Sequence, residues 1–117
     1  MNRLFIVDDS TDIRNRLIAM LAEARNVQVV GQAATAEEAL PAIEAAQPDT
    51  LLLDIRLPGK SGIELLTEVK QRYPNIQVMI MTNYDYPHYR RQSMQAGAQY
   101  FFNKTRELES LIDTLKQ

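Results

Sequence analysis

"LFIVDDS", residues 4–10, runs four apolar side chains straight into two adjacent carboxylates. An unbroken apolar run this short reads as a strand covered on both faces, the kind that belongs to a parallel sheet. Asp8 and Asp9 then stand at the strand's carboxyl end. Two like charges that close repel each other, and removing them from water is costly unless something positive sits between them. The pair therefore either faces water at a turn or holds a cation, and the rest of the chain has to decide.

Four more apolar runs follow at Val27–Val30, Leu51–Leu53, Val78–Met81 and Tyr100–Phe102. Between and after them lie five segments with helical periodicity. Ile13, Leu17 and Leu21 share one face, as do Leu66, Val69 and Tyr73, and again Leu108, Leu111, Ile112 and Leu115. Start signals agree with this reading. Ser10 caps the first helix, and Thr35 with Glu38 and Ser61 with Glu64 have capping-box spacing. Asp85 or Tyr86 precedes Pro87 at the start of the fourth helix, where proline is tolerated, and Thr105 is placed to cap the fifth. Pro74 and Gly97 mark helix ends. Pro41 conflicts with the second helix, which is expected to start late or kink there. Met79, Met81 and Met94 read as gap-filling apolar residues.

Strand and helix alternating five times predict an α/β fold: a flavodoxin-like three-layer sandwich whose five-stranded parallel sheet has the order 2-1-3-4-5, with five helices. The 117 residues suit one domain, 1–117. Thirteen basic and fifteen acidic residues, with no basic run, point away from direct nucleic-acid binding. No apolar stretch spans a bilayer and the N-terminus does not read as a signal peptide, so no membrane partner and a cytoplasmic location are expected. Without cysteine, and with His88 as the one histidine, neither a disulfide framework nor a transition-metal site is expected.

In open parallel sheets ligands bind beyond the carboxyl ends of the strands. Asp8 and Asp9 stand there after strand 1, Asp54 after strand 3, Thr82 after strand 4 and Lys104 after strand 5. In the expected order these strands are neighbours, so the groups should converge. Three carboxylates with oxygen ligands only suit a hard cation such as Mg²⁺. An aspartate can attack phosphorus to form an acyl phosphate. Lys104 offers a point charge and Thr82 a hydroxyl donor to phosphoryl oxygens, which suits a transfer governed by positioning and charge.

Four pieces of sequence carry a resemblance: "FIVDDS" (5–10), "LLLDIRLPGKSGIELL" (51–66), the threonine of "MTNYD" (81–85) and "AGAQYFFNKT" (96–105). With these in order, the chain resembles, end to end, the receiver domain of two-component response regulators. The resemblance implies that Asp54 is the phosphoacceptor, and that Asp8, Asp9, Asp54 and the backbone carbonyl of Arg56 hold Mg²⁺. It implies that Thr82 and Lys104 contact the phosphoryl group and that Thr82 and Phe101 form the switch. A histidine kinase or phosphotransfer protein would be the donor, and the chain would assist only its own phosphorylation and dephosphorylation rather than act as an enzyme. The surface of helix 4, strand 5 and helix 5 would change on phosphorylation, Phe101 packing inward. That surface would control an output domain or downstream protein and could form a homodimer. "VQVVGQA" (27–33) looks like receivers that precede helix-turn-helix DNA-binding domains, none of which is expected within these residues.

The chain also departs from the family's pattern. Asn83 follows Thr82 where alanine or glycine is usual, and Thr105 follows Lys104 where proline is common. Arg56 and Tyr84 occupy positions that tune hydrolysis in the family; both are bulky and neither is acidic, which implies slow self-dephosphorylation. Rival functions fare less well. A flavin carrier would not place "DDSTD" (8–12) where a phosphate must sit. A phosphohydrolase using an aspartate on strand 1 would need a second aspartate at position 10, which is Ser10. A receiver-fold protein-binding module that works without phosphorylation is the remaining alternative, and the retained acids, Thr82 and Lys104 argue against it.

Overall fold

The computed structural model describes residues 1–117. The strands are β1 (Asn2–Val7), β2 (Val27–Ala33), β3 (Thr50–Leu53), β4 (Gln77–Thr82) and β5 (Tyr100–Asn103). The helices are α1 (Thr11–Leu21), α2 (Ala36–Ala46), α3 (Gly62–Arg72), α4 (Pro87–Gln95) and α5 (Leu108–Leu115). All strand pairs are parallel, in the order β2-β1-β3-β4-β5. Each apolar run of the sequence thus lies in a strand, and the predicted flavodoxin-like sandwich is the one observed. No helix is long and apolar enough to cross a membrane.

Alternation along the strands divides the core in two. Phe5, Val7, Leu51, Leu53, Val78, Ile80 and Phe101 face α2 and α3. Leu4, Ile6, Leu52, Met79 and Met81 face α1 and α5. The expectation that every strand is covered on both faces holds for β3 and nearly so for β1 and β4. It fails at the two edges, where Gln28 and Gln32 of β2 and Tyr100 of β5 are exposed, because an edge strand has one flank without a neighbour. β2 also bulges: Leu4 pairs with Val29 and Phe5 with Gly31, leaving Val30 unmatched.

Local chemistry sets the helix ends. Ser10, Thr35 and Ser61 accept hydrogen bonds from the amides of Ile13, Glu38 and Glu64, so each satisfies one orphan donor of a first turn. Tyr86 precedes Pro87 at the start of α4. The fifth helix starts later than expected. Its N-cap is Glu107, not Thr105, whose hydroxyl bonds elsewhere. α2 starts at Ala36 and continues through Pro41, so the late start is not found. Pro41 is exposed, and the turn stays anchored by Ala36, Ala39 and Ile43 on its buried face. α2 ends where Gln47 takes a left-handed conformation (φ 48°). α5 has only eight residues, too few to be stable alone. Its burial of Leu108, Leu111, Ile112 and Leu115 holds it, at about 2 kcal/mol for each side chain. Met79 and Met81 lie in the core as read, whereas Met94 is exposed on α4.

The turn from β3 into α3 is the tightest part of the fold. Gly59 sits at φ +75°, and Gly62 packs so closely that a Cβ there would lie 2.0 Å from the carbonyl oxygen of Asp54. The Gly62 amide donates to the carbonyl of Ile55 at 2.8 Å. Main chain cannot yield as a flexible side chain can. Gly62→Ala is therefore expected to cost about 3 kcal/mol by overpacking, read as a lower midpoint in urea denaturation; an unchanged midpoint would mean that this turn relaxes freely.

Candidate functional site

The carboxyl ends of β1, β3, β4 and β5 meet as the sheet order requires. Asp8 continues the β1 ladder, its amide bonded to the carbonyl of Ala33, and its side chain is fully buried. The Asp54 amide likewise bonds to the carbonyl of Val7, and Asp54 is 3% exposed. Backbone pairing thus brings two carboxylates into the interior side by side, where each needs compensation.

Lys104 supplies it. Its Nζ lies 2.9 Å from Asp8 Oδ2 and 2.8 Å from Asp54 Oδ2. The second oxygens are held by backbone amides: Asp8 Oδ1 accepts from Ser10 at 2.8 Å and Asp54 Oδ1 from Arg56 at 3.3 Å. Asp9 is exposed at the rim, yet one oxygen from each of Asp8, Asp9 and Asp54 lies within 4.8 Å of the others. Three carboxylates against one ammonium leave an excess of negative charge. The donors are all oxygen, the set a hard divalent cation prefers, and no nitrogen or sulfur ligand accompanies them. The residues therefore fit Mg²⁺.

The electrostatics follow from burial. Burial holds the Asp54 carboxyl above its ordinary value; Lys104 opposes this and the Asp8 charge adds to it. Burial alone would push Lys104 down, but its bonds to Asp54 and Asp8 outweigh that and hold it above the usual lysine value.

The remaining sequence-predicted residues lie around this cluster. Thr82 is fully buried at the end of β4; its carbonyl accepts from the Lys104 amide at 3.1 Å. The Thr82 hydroxyl accepts from the Tyr84 amide at 3.0 Å, which leaves its own proton free to donate. No hydrogen bond joins Thr82 to the carboxylates. The backbone of Arg56 touches the cluster through its amide, while its guanidinium stacks over the Tyr84 ring at 4.4 Å, both side chains exposed. Phe101 is already packed inward, 4% exposed, so inward packing does not await an added charge. Arg90 lies over its ring at 5.5 Å. His88 is exposed on α4, its ring beside those of Tyr86 and Tyr89.

Sequence reasoning missed two supports. Arg14 of α1 donates to the carbonyl of Asp8 at 2.5 Å and to Gln32 Oε1 at 2.8 Å, bracing the β1 end against β2. Buried Asn103 donates to Asp85 Oδ2 at 3.2 Å, and its own oxygen accepts from the amides of Thr105 and Arg106. That bond from Asn103, with help from the Arg106 charge, holds the Asp85 carboxyl below its usual value. Each is a polar residue beside a recognised one, and only the fold shows what it reaches. The larger surface hollow, about 410 Å³, lies at the opposite, amino end of the strands between Gln47, Asp49, Arg72 and Tyr73, remote from this chemistry.

Comparison with known proteins agrees with the fold. The profile of the response regulator receiver domain matches residues 4–116. The response regulator GacA of Pseudomonas aeruginosa is 32% identical over 117 residues, which are 100% of this chain and 55% of that protein. The DNA-binding transcriptional activator DevR/DosR of Mycobacterium tuberculosis is 36% identical over 98 residues, 84% of this chain and 45% of that protein. The chain thus spans about half the length of the curated relatives it matches. Among solved structures, a CheY-like response regulator receiver domain from Methanospirillum hungatei superposes with a TM-score of 0.87 at 32% identity, covering 99% of this chain and 91% of that one.

Because the folded state holds the Asp54 proton more tightly than the unfolded chain, Asp54 adds stability below its ordinary value of 3.8 and loses it as pH rises through the raised value. Without divalent ions, Asp54→Asn should therefore melt higher at neutral pH, by about 4 °C if the relief is ~1 kcal/mol. The gap should shrink as pH falls through the raised value toward 3.8. A lower melting temperature for the variant at neutral pH would count against a crowded acidic site.

Proposed function

The chain belongs to the response regulator receiver domain family of two-component systems, and from that premise we propose that it accepts a phosphoryl group on Asp54. The donor is a phosphohistidine on a histidine kinase or phosphotransfer protein. An Asp54 oxygen attacks phosphorus, the bond from phosphorus to the donor's imidazole nitrogen breaks, and that nitrogen keeps the electron pair and takes up a proton. The observation that supports this best is the Lys104 ammonium 2.8 Å from Asp54 Oδ2 within an oxygen-only cluster.

Each residue has a part that follows from its position. Asp8, Asp9, Asp54 and the Arg56 carbonyl hold Mg²⁺, which, when bound, withdraws charge from the incoming phosphoryl group. Lys104 exchanges the Asp54 carboxylate for a phosphoryl oxygen and keeps its bond to Asp8. Thr82 donates its free hydroxyl proton to another phosphoryl oxygen. The added charge, nearly two units, draws on the loops after β4 and β5 and shifts the balance between two arrangements of the α4-β5-α5 surface. Phe101, buried already, favours the inward arrangement before phosphorylation. That surface is the one that controls an output domain or downstream protein, or pairs with a second copy. DNA-binding relatives such as DevR/DosR, of which this chain covers 45%, support a DNA-binding output, and the likeness of residues 27–33 points to one of helix-turn-helix type.

The test is intact-mass spectrometry after treatment with phosphoramidate and Mg²⁺. The wild-type chain should gain one phosphoryl group; chelation of Mg²⁺ or Asp54→Asn should abolish the gain with the circular dichroism spectrum retained. An unlabelled wild type would leave a phosphorylation-independent binding module in its place. The exposed Arg56–Tyr84 stack beside the acceptor is bulky and offers no acidic group to orient a hydrolytic water, so the aspartyl phosphate should persist for minutes or longer. A half-life of seconds would overturn that part.

A further inference from the structure

Two departures that stand apart in the sequence, Asn83 and Thr105, are partners in space: the Thr105 hydroxyl donates to Asn83 Oδ1 at 2.8 Å. We propose that this hydrogen bond couples the loop carrying Thr82 to the loop carrying Lys104, which makes Asn83 and Thr105 positioning residues for transfer to Asp54. The proposal rests on the phosphoacceptor reading above and adds to it the residues that set two of its contacts.

β4 and β5 pair up to Thr82 and Asn103, and the last rung of that ladder joins the Lys104 amide to the Thr82 carbonyl at 3.1 Å. Beyond that rung nothing in a parallel ladder obliges the two chains to stay together. Here side chains extend the pairing. Asn83 lies one residue beyond Thr82 and Thr105 one beyond Lys104, so their bond clamps the two loops next to the two groups that must meet the phosphoryl oxygens.

The clamp is not an isolated surface contact. The Thr105 amide is held by Asn103 Oδ1 at 3.0 Å, and Asn103 is itself buried. Asn103 Nδ2 reaches back to Asp85 on the first loop at 3.2 Å, and Arg106 also pairs with Asp85. The Tyr84 amide holds the Thr82 hydroxyl at 3.0 Å. The Thr82 hydroxyl, Asn83, Thr105 and Lys104 are thus linked by these bonds and by the short stretches of backbone between neighbouring residues. A proline at 105 would break it twice, having neither the hydroxyl for Asn83 nor the amide proton for Asn103. Residues in one hydrogen-bonded network act non-additively.

The experiment is a double-mutant cycle on the rate of Asp54 labelling by phosphoramidate with saturating Mg²⁺, using Asn83→Ala, Thr105→Val and the pair. Each single change should slow labelling about threefold, the scale of one exposed hydrogen bond. The double variant should be no slower than either, and Thr105→Ser, which keeps the hydroxyl, should label like wild type. Effects that multiply, or rates unchanged while urea stability falls, would reduce the pair to two independent surface residues and overturn the proposal. A wild type that takes no label removes the phosphoacceptor reading, and with it the positioning role. Coupling of the loops is then read separately by amide exchange at Tyr84 and Lys104, which Thr105→Val should accelerate at both sites if the bond joins the loops, and at neither or at Lys104 alone if it does not.

Discussion

The Lys104 ammonium between Asp8 and Asp54 is the contact on which the top of the molecule depends. The parallel sheet drives two carboxylates into its interior because each ends a strand whose other residues are core. Buried and unpaired, each ion would cost several kcal/mol. One ammonium from the far strand satisfies an oxygen of both, and main-chain amides hold the others. The ends of β1, β3 and β5 are thereby tied to a single charged atom. The excess negative charge that remains suits a divalent cation, and in the proposed transfer the strength of Lys104's present bonds sets how reluctantly it gives up a carboxylate for a phosphoryl oxygen.

The rest of the architecture is unevenly anchored around that contact. α5 buries four apolar side chains, whereas α4 buries only Ser93, whose hydroxyl has no hydrogen-bond partner. Most of α4 is polar and exposed, and its neighbouring loop carries Tyr84 and Tyr86 at the surface. Regions with few buried apolar contacts open at the lowest free-energy cost. A charge added at Asp54 therefore meets its weakest resistance in the direction of α4, the face the proposed signal must alter.

Most of the fold was legible because its signals are local. Short apolar runs marked all five strands, and the three hydroxyl caps at Ser10, Thr35 and Ser61 form as their spacing suggested. The strand order needed only the rules for parallel crossovers, and with it the convergence of Asp8, Asp9, Asp54 and Lys104. What escaped depends on neighbours distant in sequence. Thr105 looks like a cap by its position before an amphipathic stretch, but Asn83, 22 residues earlier, takes its hydroxyl. Pro41 looks disruptive by propensity alone, and tertiary burial of the opposite helix face overrides it. Phe101 shows no sign in sequence of which way its ring points, and Arg14 and Asn103 look like ordinary polar residues until the fold reveals what they touch.

The missing side chain at Gly62 gives the site around Asp54 a mechanical asymmetry. With α3 seated directly against the Asp54 carbonyl, the main chain at Asp54 is closely packed on that side. The far side is built from two loops joined largely through side chains. Under the proposed phosphoacceptor role this makes a vise with one fixed jaw: a group added at Asp54 is expected to move the two loops rather than the β3–α3 turn, so a change of a few ångströms acquires a direction before it reaches the surface.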